Sequence, residues 1–181
     1  MSKVLLLGST GAVGSQTILS LLSSSSYSSV HALGRRPPTL PATTPNLSKL
    51  TTAPNISFED LLNGDKAEEK KLRDVEADVV LITLGTTRAA AGGMEKFVRI
   101  DREYVSAAAK AARVEGKDQR VVYCSSGGAS STSLFPYTKS KGLTEEGLAE
   151  LGYKECIIFR PGMLIVPGGR GEHRLVESMA A

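Results

Sequence analysis

Three side chains lie close enough along the chain to share one reaction: Ser126, Tyr137 and Lys141, all within YCSSGGASSTSLFPYTKSK. Tyr137 and Lys141 are four positions apart, so on a helix they share a face. An ammonium beside a phenol favours the phenolate and brings the tyrosine towards neutrality. Its hydroxyl is then suited to protonate a carbonyl oxygen that receives hydride. A serine hydroxyl would hold that same oxygen. Ser125 and Ser126 are both candidates, and the spacing to Tyr137 favours Ser126. A tyrosine and a lysine at this spacing also occur by chance in lysine-rich helices, so the elements that carry them decide what the pair means.

Those elements alternate. KVLLLG (3 to 8) reads as a short strand ending in glycine, and AVGSQTILSLL (12 to 22) places Val13, Gln16 and Ile18 to Leu22 on a helical period. SVHALGRR (29 to 36), NISFEDL (55 to 61) and DVVLITLG (78 to 85) read as the second, third and fourth strands. The last of these is almost continuously apolar, as a buried parallel strand should be. RVVYCSS (120 to 126) and ECIIFRPG (155 to 162) supply the fifth and sixth.

Between strands four and five, residues 94 to 116 carry a helical stripe of Phe97, Ile100, Tyr104, Ala108 and Ala111, with Gly116 as the stop. Residues 136 to 152 form the next helix, with Pro136 in its first turn. The stretch from 37 to 54 is rich in proline and threonine, so the second crossover helix is expected to be reduced to a loop. Strands alternating with helices imply an α/β, Rossmann-like, doubly wound parallel sheet of about six strands in the order 3-2-1-4-5-6. Ser126 then sits at the end of the fifth strand and Tyr137 with Lys141 on the helix that follows.

The first turn, GSTGAVGS (8 to 15), brings Gly8, Gly11 and Gly14 to a helix N-terminus. Unpaired N–H groups and partial positive charge there accept a pyrophosphate, provided that side chains do not stand in the way. The first glycine gap is wider than in the usual dinucleotide fingerprint, and a tight strand-to-helix turn could also demand small residues. The second strand adds a sharper sign. It ends in Arg35 and Arg36 rather than in the acid that would take a ribose hydroxyl, so the expected cofactor is NADP, with both guanidinium groups around its 2′-phosphate. Asp60 could accept from the adenine amino group, or be a plain surface acid.

The composition sets the remaining bounds. A chain of 181 residues with 41% hydrophobic content is expected to form one domain, residues 1 to 181. The formal charge of +3 is scattered and aromatics are only 5%, which argues against a nucleic-acid partner. Cys124 and Cys156 sit in apolar runs and are expected to be buried thiols. His31 and His173 stand apart, so no metal site is expected. No apolar run approaches the length of a membrane span, and a strand starting at Lys3 leaves no room for a leader, so an intracellular protein without an integral span is expected.

Taken together, LGTTRAAAGGMEKFVRIDREYV (84 to 105), GRR, SSGGASSTSLFPYTKSKG and FRPG resemble the atypical short-chain dehydrogenases/reductases. More narrowly, they resemble the HIV Tat-interacting oxidoreductase family and its fungal relatives of the mitochondrial proteome. The resemblance spans nearly the whole chain. It implies that Thr10, Gly11, Ala12 and Val13 line the pyrophosphate turn, that Arg35 and Arg36 hold the 2′-phosphate, and that Leu84 and Gly85 pass under the cofactor. It makes Tyr137 and Lys141 the catalytic pair, with Lys141 also touching cofactor, and closes Leu164 and Arg170 over the nicotinamide half. Asp101 stands where many short-chain dehydrogenases keep an asparagine that continues a proton relay. Relatives of this kind run on past the point where this chain ends at Ala181, so a shortened substrate region is expected. The function implied is NADP-dependent hydride transfer with a small carbonyl or alcohol substrate. The alternative is a non-catalytic NADP-binding module that meets a protein partner. The same resemblance points to the cytoplasm or the mitochondrial outer membrane surface, with peripheral association.

Overall fold

The structure, a computed structural model, describes residues 1–53, 55–162 and 164. Six parallel strands form one sheet: β1 (Ser2–Leu7), β2 (Tyr27–Leu33), β3 (Leu50–Ala53), β4 (Val79–Ile82), β5 (Arg120–Cys124) and β6 (Glu155–Phe159), in the order β3-β2-β1-β4-β5-β6. This is the Rossmann-like order expected from the alternating pattern. The central β1 pairs with both β2 and β4, Leu7 lying opposite Leu33 on one side and Ile82 on the other. Strand alternation sends its side chains to two cores. Val4 and Leu6 pack with Ile18, Leu21 and Leu22 of α1 (Ala12–Ser23). Leu5 and Leu7 join Val80, Ile82, Val121 and Tyr123 under the helices of the opposite face.

Those helices are α2 (Phe58–Leu62), α3 (Lys66–Arg73), α6 (Tyr104–Ala112) and α7 (Pro136–Ala149), which contribute Phe58, Leu72, Ala108 and Leu148 to one cluster. The face that carries α1 is less well covered: on β6, Ile157 and Phe159 stand exposed while Cys156 and Ile158 pack inward. Both Cys124 and Cys156 are free and only half-buried, less enclosed than their apolar neighbours suggested, because Cys124 ends β5 at the cleft and Cys156 lies on the edge strand β6.

The third strand lies earlier than its sequence suggested. Residues 55 to 61 include the start of a helix, α2, where the Ser57 hydroxyl accepts from the Asp60 amide at 3.2 Å and Glu59 and Asp60 occupy the first turn. That is an N-cap followed by acids at the positive end of the helix, a signature that outweighs the β-branched Ile56 before it. The true strand, LTTA, lies at the sheet edge with Thr51 and Thr52 exposed, so it lacks the apolar run that marks its neighbours. As expected, no α-helix fills the crossover from β2. A single 3-10 turn (Leu47–Lys49) precedes β3, and the loop fastens onto α1 instead: Asn46 Nδ2 donates to the Leu22 carbonyl and Lys49 Nζ to that of Ser24.

The helix between β4 and β5 also departs from its simple stripe. It runs as α5 (Met94–Val98), a π-helical segment (Arg99–Glu103) and α6. The wider π turn inserts one residue into the pattern. Phe97, Ala108 and Ala111 of the expected stripe are buried, joined by Asp101, Val105, Ala109 and Ala112, while Ile100 and Tyr104 are only partly buried. A short α4 (Arg88–Ala91) stands before it, capped by the Thr87 hydroxyl.

The two cores predict a contrast. Leu22 is fully buried whereas Leu134 is 95% exposed. Leu22→Ala is expected to cost about 2–5 kcal/mol and Leu134→Ala less than about 0.5 kcal/mol. Urea unfolding midpoints of the two variants check this, and equal midpoints would contradict the packing described.

Candidate active site

The carboxyl ends of β1, β4 and β5 open onto one cleft of about 230 Å³. Gly11, Ala12 and Val13 reach it from the first turn, Thr83 to Thr87 from the segment after β4, and Cys124 and Ser125 from β5. Tyr137 and Lys141 enter from α7, Asp101 from the π segment, and Leu164 from the chain after β6. Leu84, Gly85 and Leu164 thus all border the cleft. Arg170 lies outside the described residues.

The three glycines of the turn do different work. Gly8 has φ +92, and a Cβ there would fall 2.6 Å from the Leu84 nitrogen. At Gly14 a Cβ would lie 2.1 Å from the Gly8 carbonyl oxygen. Both are required to seat the turn against β4, where the Thr83 hydroxyl donates to the carbonyls of Leu7 and Gly8 at 3.1 Å. Gly11 is different: its nearest obstacle is the Gly8 oxygen at 3.4 Å, and it borders the cleft. It is also the N-cap of α1, with no side-chain cap and no acid in the first turn. The first-turn amides of this 12-residue helix have no side-chain cap, and the lack of a side chain at Gly11 fits an anionic group resting on them.

A second hollow of about 400 Å³ adjoins the turn, lined by Ser9, Thr10, Ser15, Arg36, Pro37 and Thr39. Arg36 and Thr10 are brought together here. Arg35 and Arg36 are both exposed in the bend after β2, and of the two only Arg36 borders this hollow. Asp60 is exposed on α2.

The centre of the cleft is a buried ionic cluster. Lys141 Nζ faces Asp101 Oδ2 at 2.8 Å as an ion pair and donates to the Tyr123 hydroxyl at 2.9 Å. The Thr86 amide donates to Asp101 Oδ1 at 3.2 Å. Burial alone would push the lysine down, but Tyr123 and Asp101 more than reverse this and leave it raised. Burial pushes the Asp101 carboxyl up, with Lys141 and the Thr86 amide pulling the other way. Burial likewise raises the Tyr123 phenol against the opposing pull of Lys141. Gly85 is needed beside them, since a Cβ there would lie 3.0 Å from Asp101 Oδ1.

Tyr137 and Lys141 share the cleft as their spacing on α7 predicted, but the ammonium hydrogen-bonds Tyr123, not Tyr137. The Tyr137 ring instead leans on Phe97, centroids 5.2 Å apart. The serines also separate. Ser125 borders the cleft and its hydroxyl donates to Glu145, whereas the Ser126 hydroxyl is hidden from solvent without a hydrogen-bond partner among the described residues. Of the two candidates it is thus Ser125, not the Ser126 preferred on spacing, that borders the cleft. Glu145 is buried and is held in turn by Arg160, whose Nε lies 3.1 Å from its carboxylate.

Three of these partners escaped sequence reasoning. Tyr123 carries the one hydroxyl of an otherwise apolar run, and Glu145 repeats the four-residue step from Tyr137 and Lys141 on α7, so both left a trace. The reach of Arg160 to Glu145 is tertiary and left none.

A Rossmann-like sheet with a glycine turn and a tyrosine and lysine in the same cleft defines an α/β protein of the dehydrogenase type in architecture. The chain belongs to the NAD dependent epimerase/dehydratase family, whose model matches residues 4–179. Among its curated relatives, it is 36% identical over 180 residues to "Protein fmp52, mitochondrial" of Emericella nidulans, covering 99% of this chain and 73% of that protein. It is also 36% identical to "Protein FMP52, mitochondrial" of Candida albicans, covering 97% and 72%. The fold is shared with the Bordetella bronchiseptica enzyme WbmH, solved in complex with NAD+, at a TM-score of 0.64 and 19% identity. It is also shared with the terminal R domain of the myxalamid pathway, at a TM-score of 0.66 and 15% identity. The chain spans about half the length of these two solved structures, 56% and 48%, while 88% and 90% of it is covered.

The glycine geometry generates a prediction. Gly14→Ala is expected to lower the melting temperature by roughly 2–12 °C, as an overpacking of about 1–3 kcal/mol would. Gly11→Ala is expected to melt close to the unaltered chain. Thermal unfolding of both checks the assignment, and a large loss at Gly11 instead would make it a structural glycine like the other two.

Proposed function

We propose that this protein binds NADP(H) along the glycine turn and acts as an oxidoreductase on a small carbonyl or alcohol. The observation that carries the reading is the meeting of Tyr137, Lys141 and Ser125 in the cleft that the turn also borders. Gly11, Ala12 and Val13 would hold the pyrophosphate with backbone amides, Leu84 and Gly85 would pass beneath the dinucleotide, and Lys141 would meet its nicotinamide half. NADP(H), when bound, supplies or takes the hydride. Tyr137 gives its hydroxyl proton to the carbonyl oxygen or withdraws one from the alcohol, with the Lys141 ammonium in the same cleft. Ser125 would hold the same oxygen once its single hydroxyl proton turns from Glu145 to the cleft.

Preference for the phosphorylated cofactor is supported by Arg36 beside Thr10, Ser9 and Ser15, donors suited to a phosphate dianion. The narrower kinship with the HIV Tat-interacting oxidoreductase family, carried by the motif of residues 84 to 105, belongs to the same reading. So does a place at the mitochondrial outer membrane surface. The curated relatives are named mitochondrial, and among the described residues no helix is long and apolar enough to cross a membrane, so association would be peripheral.

Calorimetric titration with NADPH and NADH tests the cofactor. Arg36→Ala is expected to weaken NADPH by at least about tenfold, the loss of a charge-assisted bond of about 1.5–3 kcal/mol, and to leave NADH unchanged. Equal affinity for the two cofactors in the unaltered chain would remove the NADP assignment. Tyr137→Phe is expected to bind NADPH normally and to lose about 100-fold or more in reduction of any aldehyde, ketone or quinone found to be turned over. Normal turnover by that variant would remove Tyr137 from the chemistry. Tight NADPH binding with no turnover across such a panel would favour the non-catalytic binding module.

A further inference from the structure

The buried cluster around Lys141 holds more than the proposed reading uses. An ammonium has three N–H donors. One goes to the Tyr123 hydroxyl at 2.9 Å, and the charge faces Asp101 at 2.8 Å across an ion pair whose members are 5% and 0% exposed. Among the described residues, the lysine also borders the open cleft. Neither tether depends on a ligand, so the lysine is placed before anything binds.

We propose that Asp101 is a positioning residue that keeps Lys141 an ammonium inside the cleft and, together with Tyr123, aims its remaining N–H at the ligand. This inference rests on the reading above only for the identity of that ligand. Three features of the chain serve it. The π segment carries Asp101, rather than Ile100, to the buried face. Gly85 leaves room for the carboxylate, and the Thr86 amide fixes its other oxygen. Without the carboxylate, an ammonium this buried would be driven to its neutral form, since desolvation is the largest influence on it.

Among the described residues, the titratable groups that share the cleft with Lys141 are Asp101 from the π segment, Cys124 from β5 and Tyr137 from its own helix α7, with Tyr123 of β5 bonded to it and Glu145 one turn further along α7. Glu145 is bound by Arg160 and Ser125, and the Cys124 thiol is pushed up by burial, so neither replaces Asp101 as a counter-charge at neutral pH. The sign of the pH effect follows. In the unaltered chain Lys141 stays charged through neutral and mildly alkaline pH, and ligand binding is flat there. Once Asp101 is neutralised, Lys141 loses its proton as pH rises through a lowered midpoint, and any ligand that depends on its charge binds less well at the alkaline end.

The test uses the full chain with selectively ¹³C-labelled lysine, following the Lys141 Cε resonance between pH 6 and 10, with NADPH titrated between pH 7 and 9. The Lys141 resonance is assigned by its loss in Lys141→Met. In the unaltered chain no titration of Lys141 below pH 9 is expected. In Asp101→Asn the midpoint is expected to fall by about 2 units or more, into the range of the titration. NADPH affinity should then drop about tenfold across the same midpoint, while 2′,5′-ADP, which carries only the adenosine half, binds unchanged. A Lys141 that stays charged in Asp101→Asn overturns the inference, as does one that titrates below pH 8 in the unaltered chain. That second measurement stands even where Asp101→Asn fails to fold. Tyr123→Phe, which removes a tether and leaves the counter-charge, is expected to keep Lys141 charged and to weaken NADPH. Unchanged NADPH affinity in that variant overturns the aiming role of Tyr123. Should the unaltered chain bind no NADPH while the lysine midpoint shifts as stated, the charge-holding role of Asp101 is upheld and the cofactor reading fails.

Discussion

Burying a lysine ammonium is the constraint around which the candidate site is arranged. An isolated charge taken out of water costs several kcal/mol even after relaxation, so a lysine in the floor of a cleft needs an opposite charge and a hydrogen-bond acceptor already in place. Asp101 and Tyr123 provide them from two different elements. Satisfying the lysine therefore couples the helix between β4 and β5 to the strand β5 and to α7. Each of those elements must be seated correctly before the cluster can close. The pair contributes little net stability when desolvation is offset against attraction, and its value lies in fixing where one donor points.

The same logic explains why small residues accumulate around the cleft. Gly85 stands beside the Asp101 carboxylate, Gly8 and Gly14 bring the first turn into contact with the segment after β4, and Gly142 lets α7 lie against the backbone of Ser130 and Ser131. The last of these sits directly after Lys141. It lets the loop from β5 press onto the helix that carries Tyr137 and Lys141, with the Ser130 amide donating to the Thr138 carbonyl at 3.0 Å. Tyr137 is thus held by backbone packing beside it and by the Phe97 ring in front of it, with no bond to Lys141.

The strands that bury both faces were legible as apolar runs, and from their alternation with helices the sheet order followed. The edge strand β3 was not, because an edge exposes one side and LTTA has no apolar surplus to betray it. The buried face of the helix between β4 and β5 was misread at Ile100 and Tyr104 for a related reason: a period of 3.6 cannot anticipate one inserted π residue, which depends on what the helix meets. In the site, residues linked by local spacing were readable. Tyr137 with Lys141 and the three glycines belong to this group. What sequence could not supply was the pairing of Asp101 with Lys141 and of Glu145 with Ser125 and Arg160, which join positions distant in the chain.

The misread helix and the lysine cluster are one fact seen from two sides. A regular helix from Met94 to Ala112 would keep the simple 3.6-residue stripe of Phe97, Ile100 and Tyr104. The π segment trades that regularity for a carboxylate in the core. Tyr104, displaced from the innermost face, donates its hydroxyl to Glu59 at 2.6 Å, and Arg99 pairs with the same carboxylate. These contacts hold Glu59 well below the usual carboxylate range, at about 2. The outward side of the π segment is in this way fastened to α2 by a charged group while its inward side is fastened to α7 by another. An irregular turn costs hydrogen-bond geometry and persists only where its surroundings over-determine it. Here the surroundings do so through two carboxylates on opposite sides of one turn, and the inner one faces the lysine on which the proposed chemistry depends.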